Sequence, residues 1–373
     1  MPHIGINAHL LSKENSYRRA GIHVYIAETL RHLPRHEALQ YTIFNGDPPD
    51  FLAQERFTVS QSGWRTDHPI KRILWEQLGW GPAARTQRVD LLHSMAFVTP
   101  LLSAIPAVVT VYDLSFFRYP ERYPKSQRLY LQSQTRRSCR AAKQVITISE
   151  SGRDDVHHLF DIPYERISVA YPGLSPHFRP PTAGAVAQFR QNPAVPERYI
   201  LHVGTLQPRK NLLVLLDALA QLRDKEIKLV LIGGKGWFYE TIYQRIAELG
   251  LENRVIFPGY IPDDDLPLWY HGAELFAFPS VYEGFGMPIL EAMACDTPVV
   301  SSNASAMPEA AGDAALLCDP HNTAAFVDCL QNVLDNPAQA VTMRERGREQ
   351  IKKFSWQTTG AQTAEAYRLA LRR

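Results

Sequence analysis

RYILHVGTLQPRKNLLVLLDALAQLRDKEIKLVLIGG, residues 198–234, is the stretch on which the fold turns. RYILHVGT (198–205) is a short apolar run ending at Gly204, which predicts a buried strand. The leucine-rich segment from Asn211 to Leu222 reads as a helix, and KLVLIGG (228–234) as a second strand. Strand, helix and strand in that order make a parallel βαβ unit.

The same alternation continues in both directions. Downstream lie a helix at 238–249, RVIFPGY (254–260), a helix at 263–271 and ELFAFPS (274–280). A helix from Pro288 to Cys295, PVVSS (298–302), AALLCDP (314–320), helices within 322–353 and a last one from about Trp356 to Leu371 complete that half. Upstream, HIGINAHL (3–10), YTIFNG (41–46), DLLHSM (90–95), AVVTVYD (107–113), QVITIS (144–149) and ISVAYP (167–172) read as strands. Helices at Ile22–Leu33, 70–86, 125–142 and Glu150–Phe160 separate them. Residues 173–198, rich in Pro, Ala and Gly, break the pattern and read as a linker. The expected fold class is therefore α/β, with two doubly wound Rossmann-like domains at 1–175 and 176–355 facing across a cleft. In such sheets ligands sit outside the carboxyl ends of the strands.

Composition supports an ordinary globular chain: of 373 residues, 45% are hydrophobic and 21% charged. Forty basic against 38 acidic side chains give a net charge of +2, so no global field favours nucleic acid. Cys139, Cys295, Cys318 and Cys329 are spaced too widely for a CxxC metal knuckle and read as reduced thiols of a cytoplasmic protein. The N-terminus lacks a secretory pattern, and the longest apolar stretch, 101–112, is interrupted by Pro106 and too short to span a bilayer.

Two loops carry the legible chemistry. GTLQPRKN (204–211) places Arg209 and Lys210 between a strand and a helix, where adjacent cations and helix N–H groups suit a diphosphate. A solvated basic turn is the competing reading. EGFGMPILEA (283–292) puts Glu283 in a glycine-rich turn, Pro288 at a helix start and Glu291 about one turn in. A carboxylate there can accept two vicinal hydroxyls, as on a ribose, while Glu283 can reach a second ring. Complementing the helix dipole is the alternative for both acids, and it accounts for Glu291 better than for Glu283.

VYEGFGMPILEAMACDTPVVSS resembles the E-x7-E signature of retaining GT-B glycosyltransferases of family four, and GTLQPRKNL resembles that family's phosphate loop. The likeness extends through RRAGIHVYIAETL, LLHSMAFVTPL, VVTVYDLSFFRYPERYP, ITISESGRDDV and FSWQTTGAQTAEAY. It implies a GT-B fold, an acceptor-side first domain, a donor-binding second domain and a final helix, 356–373, crossing back to the first. It implies that Glu291 binds the nucleotide ribose, Glu283 the transferred sugar, and Arg209 with Lys210 the diphosphate. Gly284, Phe285 and Gly286 would lend backbone N–H groups, Gly21 would let backbone approach the phosphates, and Gly204 and Gly234 would border the donor. The catalytic set expected from the resemblance is Arg209, Lys210, Glu283 and Asp113. The implied partners are a nucleotide-diphosphate sugar, with a weak preference for GDP-mannose, and a glycan or lipid-linked acceptor. Nucleic acid is not among them, and no cofactor is expected. A 2-epimerase of the same fold and a non-catalytic nucleotide-sugar binder are the alternatives.

Some positions depart from the family pattern or carry a second reading. Tyr112 stands before Asp113 where many relatives carry His, so at that point only a phenol is available. Asp113 either orients the acceptor hydroxyl or caps the next loop, and His93 either contacts substrate or is structural. Thr205 occupies a loop position where some relatives carry arginine. Asp263, Asp264 and Asp265 resemble an Asp-x-Asp metal pair but precede a helix, so they read as caps and no metal is expected. Arg18, Arg19, Arg136, Arg137 and Arg140 read as solvated helix faces or as contacts to anionic lipid, which leaves room for peripheral association with a membrane.

Overall fold

The computed structural model describes residues 1–11, 21–34, 39–54, 57–62, 69–236 and 238–372. Arg18 and Arg19 lie outside the described residues. The chain divides into two compact units, Met1–Gly173 with Trp356–Arg373, and Leu174–Ser355. None of the described helices is long and apolar enough to cross a membrane.

The first unit is built on β1 (His3–Asn7), β2 (Gln40–Asn45), β3 (Thr58–Gln61), β4 (Leu91–Ser94), β5 (Ala107–Val111), β6 (Gln144–Thr147) and β7 (Ile167–Val169). They form one parallel sheet in the order β3-β2-β1-β4-β5-β6-β7. Ile4 of β1 pairs with Tyr41 on one side and Leu91 on the other. Helices on both faces of such a sheet bury whole strands, which is why these segments read as apolar runs rather than alternating ones. The helix Trp356–Arg372 closes this unit, contributing Trp356, Ala364, Ala366, Tyr367 and Ala370 to the core around β1 and the helix Gly21–His32.

The second unit holds β8 (Tyr199–Val203), β9 (Lys228–Ile232), β10 (Val255–Gly259), β11 (Leu275–Phe278), β12 (Val299–Ser302) and β13 (Ala315–Cys318). Its parallel sheet runs β10-β9-β8-β11-β12-β13. Strand order reverses between β8 and β11. The carboxyl ends of strands at such a reversal are the usual ligand position in open α/β sheets.

Three local expectations are corrected. Residues 173–198 are more than a linker: Ala183–Arg190 is a helix whose N-cap Thr182 accepts a hydrogen bond from the Ala185 amide at 3.4 Å, and Phe189 packs edge-on to Trp269 at 5.1 Å. The helix around 70–86 is Pro69–Leu74 and Trp80–Thr86 joined by a wide π-turn, Trp75–Gly79. The helix placed at 263 begins at Leu266, and the residue before it, Asp265, makes no side-chain cap bond.

Candidate active site

The loop after β8 is shaped by its own residues. Pro208 opens a single tight turn, Pro208–Lys210, and Asn211 ends it in the left-handed region at φ 56°. Asn tolerates that backbone better than most residues. Its side-chain amide donates to the Pro279 carbonyl at 3.1 Å and to the Pro320 carbonyl at 2.6 Å. The Val281 amide donates to the Arg209 carbonyl at 2.9 Å. Those bonds fasten the β8 loop to the β11 loop, so Arg209, Lys210 and Glu283 converge although 74 residues separate Arg209 from Glu283.

Glu283 lies between the two cations. Arg209 binds one carboxylate oxygen, and the Lys210 ammonium sits 2.7 Å from the other. Both Lys210 and Glu283 are buried, at 6% and 9% exposure, so each charge depends on the other for compensation. Burial alone would raise the Glu283 carboxyl, but Arg209 and Lys210 together hold it down at about 2. Burial likewise lowers the Lys210 ammonium, an effect Glu283 opposes. Lys210 also stands over the Phe278 ring, 4.7 Å from its centroid. With Arg209 and Lys210 cationic and Glu283 ionised, these three side chains carry a net charge of +1.

Ser305 fixes the backbone of Glu283. Its hydroxyl donates to the Glu283 carbonyl at 2.7 Å and accepts from the Glu283 amide at 3.4 Å. Ser305→Ala strips both partners from that residue and is expected to cost about 1–3 kcal/mol. Thermal unfolding reads this, and an unchanged midpoint would remove Ser305 from the site.

After Glu283 the chain passes Gly284 and the buried Phe285, whose ring meets Phe354 edge-on at 5.2 Å. Gly286 then opens the helix Met287–Ala294 at φ 107°, a conformation that side chains rarely adopt. Pro288 is the second helical residue and Glu291 the fifth. Tyr270 donates its hydroxyl to Glu291 at 2.8 Å. Burial pushes the Glu291 carboxyl up to about 7, with Asp263 adding to the rise while Tyr270 and Lys210 oppose it.

A third strand end completes the rim. Gly204, beside the Lys210 ammonium, donates its amide to the Ile232 carbonyl. Leu206 and Gly234 are joined by a 2.9 Å backbone bond, which places the GGKG segment alongside the cationic loop. His202, in β8, is fully buried beside Phe276 and Phe278, and its Nδ1 faces the Ala277 carbonyl at 3.0 Å. Burial and the neighbouring Lys210 hold its imidazole at about 3, hence neutral. His202, Tyr270, Asn211 and Ser305 escaped the sequence reading. Only Asn211 left a signal there, as an Asn directly after Pro-Arg-Lys.

The first-unit candidates fare differently. His93 is fully buried, with Nδ1 2.7 Å from the Tyr367 hydroxyl and Nε2 2.8 Å from Thr110. Both ring nitrogens are spent in the core, and burial holds the ring neutral at about 3. Tyr112 is buried as well and donates to the Met95 carbonyl at 2.6 Å. Neither residue is placed to meet an acceptor. Asp113 ends β5 and accepts from the Ser115 amide at 2.9 Å and its hydroxyl at 2.6 Å, the loop-capping arrangement. Gly21 is exposed at the start of its helix, and a side chain there would meet no described atom within 4 Å. Arg136 lies over the Phe117 ring, while Arg137 and Arg140 donate to the Thr99 and Phe160 carbonyls. Those three arginines are engaged with their own unit.

Comparison with known proteins identifies the family. The model described as "Glycosyltransferase Family 4" matches residues 19–178, and that described as "Glycosyl transferases group 1" matches 186–350. O-antigen chain mannosyltransferase B of Escherichia coli is 37% identical over 325 residues, covering 86% of this chain and 82% of its own. The chain belongs to the family four GT-B glycosyltransferases. A second relative of this glycosyltransferase, D-inositol 3-phosphate glycosyltransferase of Corynebacterium glutamicum (strain R), is 30% identical over 307 residues, 76% of this chain and 72% of its own. The solved sucrose-phosphate synthase from Thermosynechococcus elongatus shares the fold at a TM-score of 0.74 and 23% identity, over 99% of this chain and 98% of its own. Anabaena HepE, solved in complex with UDP and glucose, does so at 0.75 and 20%, over 98% of this chain and 99% of its own.

Proposed function

We propose that the glycosyltransferase moves mannose from a nucleoside diphosphate, GDP by preference, to a hydroxyl of a glycan or lipid-linked acceptor, with retention of configuration. The observation that carries this reading is the Arg209–Lys210–Glu283 cluster, with Lys210 and Glu283 buried, at the strand-order reversal of the second unit. The mannosyl specificity is taken from the Escherichia coli relative named above.

As the glycosidic bond breaks, positive charge grows on the anomeric carbon and negative charge on the leaving phosphate. Fixed cations aimed at that phosphate stabilise the transition state, and such electrostatic contributions are commonly the largest. Arg209 and Lys210 supply two on this chain, so the reaction needs neither a divalent ion nor a cofactor. Gly204, Gly234 and Gly286 offer backbone where the phosphates and sugar approach, with Gly284 and Phe285 contributing N–H groups. Glu283 holds the sugar hydroxyls and Glu291 the ribose. The acceptor attacks from the face the phosphate leaves, and the phosphate oxygen takes its proton. A glycosyl-enzyme adduct on any side chain would overturn this route.

Glu291 gives the donor site a pH signature. A ribose diol is gripped by the ionised carboxylate, whereas burial favours the neutral form up to about pH 7. Donor binding therefore releases a proton, and affinity should rise as pH climbs through about 7, by roughly tenfold per unit on the acid side. Glu291→Gln should flatten that profile. A wild-type Kd independent of pH between 5 and 8 would contradict the assignment.

The deciding experiment screens nucleotide sugars by thermal shift, because a ligand at free concentration c that binds only the folded state stabilises it by RT ln(1 + c/Kd), so at equal concentration the tightest binder shifts the midpoint most. GDP-mannose is expected to raise the midpoint most, and its incubation with acceptor and chelator should yield an α-linked product by NMR. A shift with UDP-sugars alone changes the donor. Interconversion of the sugar without acceptor would establish an epimerase instead.

A further inference from the structure

Away from the substrate-binding side chains, Cys318 and Cys329 stand with their sulfurs 2.8 Å apart, the Cys318 thiol donating to the Cys329 sulfur. Cys318 ends β13 and is buried, while Cys329 lies on the helix Thr323–Asp335 and is partly exposed. Cys329 is thus the more exposed member of the pair, packed against the core that holds Cys318.

The segment that Cys318 begins touches both halves of the donor site. The Cys318 carbonyl accepts the Asn303 amide at 2.8 Å, and two residues further on Ser305 clamps the backbone of Glu283. The Pro320 carbonyl accepts the side-chain amide of Asn211, the residue directly after Lys210. A covalent tie between β13 and the helix at Cys329 would therefore act on the two loops that position Glu283 and Lys210.

We propose that Cys318 and Cys329 form an oxidisable dithiol, a modification site whose closure to a disulfide alters donor binding by this glycosyltransferase. With a peroxide as oxidant, the Cys329 thiolate attacks one peroxide oxygen, the O–O bond breaks, and hydroxide leaves a sulfenic acid on Cys329. The Cys318 sulfur then attacks the sulfenic sulfur, forming the S–S bond as the S–O bond breaks. The Cys318 proton departs with the hydroxyl as water. Two thiols are oxidised by two electrons, the peroxide is reduced, and an excess of a small dithiol reverses the step. The thiol hydrogen bond from Cys318 favours Cys329 as the attacking thiolate, and the Cys329 pKa is lowered accordingly.

The test uses the full-length protein treated with hydrogen peroxide under native conditions. Intact mass should fall by two hydrogen atoms, and peptide mapping should join the peptides bearing Cys318 and Cys329. Donor KM, or the thermal shift given by GDP-mannose, should change at least threefold on oxidation and return with dithiothreitol. Cys329→Ser and Cys318→Ser should keep basal activity and lose the response. Sulfinic acid on Cys329 without a cross-link would overturn the dithiol, and a cross-link that leaves donor parameters unchanged would overturn its coupling to the site. The coupling rests on the proposed function, but the mass readout does not. A protein that cross-links yet binds no nucleotide sugar in either state would refute that function and leave the dithiol standing.

Discussion

Lys210→Ala is expected to lower turnover by about 100-fold or more while the protein remains folded. Two effects point the same way. In the proposed mechanism the substitution removes a cation from where leaving-group charge develops, and in any case it leaves the buried Glu283 carboxylate with Arg209 as its remaining partner in the trio. The Glu283 pKa, held at about 2 by both cations, then rises towards its ordinary value. In the intact protein the ionised Glu283 contributes stability above the ordinary carboxylate range, and that contribution is lost as pH falls towards about 2. Lys210→Ala should therefore also narrow the acid side of the stability profile. Steady-state kinetics with saturating donor, run beside thermal unfolding from pH 3 to 7, separates the two effects. Turnover within tenfold of wild type would mean that Lys210 does not face the leaving phosphate.

Gly360→Ala should cost about 2–3 kcal/mol, although alanine is ordinarily the better helix former. Gly360 lies inside the helix Trp356–Arg372 where it crosses the end of the helix Gly21–His32, and a Cβ there would come within 2.0 Å of the His32 carbonyl oxygen. Backbone cannot rotate away from a methyl group as a flexible side chain can. The last helix must shift, carrying Trp356 from Tyr25 (ring centroids 5.9 Å apart) and the Tyr367 hydroxyl from His93. Differential scanning calorimetry should record a fall of about 5–10 °C. A midpoint at or above that of wild type would show that the two helices separate without loss.

Several features of this glycosyltransferase were legible in the sequence because local pattern determines them. The runs at 199–203, 228–232 and 275–278 are buried on both faces, so continuous apolarity betrayed them. Arg209, Lys210 and Glu283 sit in loops whose Pro and Gly residues mark the turns, and Gly286 with Pro288 marks the start of the helix that carries Glu291. What stayed hidden depends on partners remote in the chain. A strand-end histidine looks alike whether it faces a crevice or a core, and His93 is settled by Tyr367, 274 residues away. Tyr270 reaches Glu291 across 21 residues, and Ser305 reaches Glu283 across 22, with no periodicity to announce either. The helix Ala183–Arg190 escaped because Ala and Gly at four of its eight positions leave little amphipathic contrast.

The return of residues 356–372 to the first unit has a consequence for synthesis. Residues 1–173 cannot complete their core until residues 356–372 leave the ribosome, for Trp356, Ala364, Tyr367 and Ala370 occupy places beside Ile4, Tyr25 and Leu30. During translation the nascent N-terminal half must wait, with that apolar seam uncovered, while the whole of the second unit is produced. A chain stopped just short of residue 356 would thus hold the whole sequence of the second unit and still leave the first without its seal.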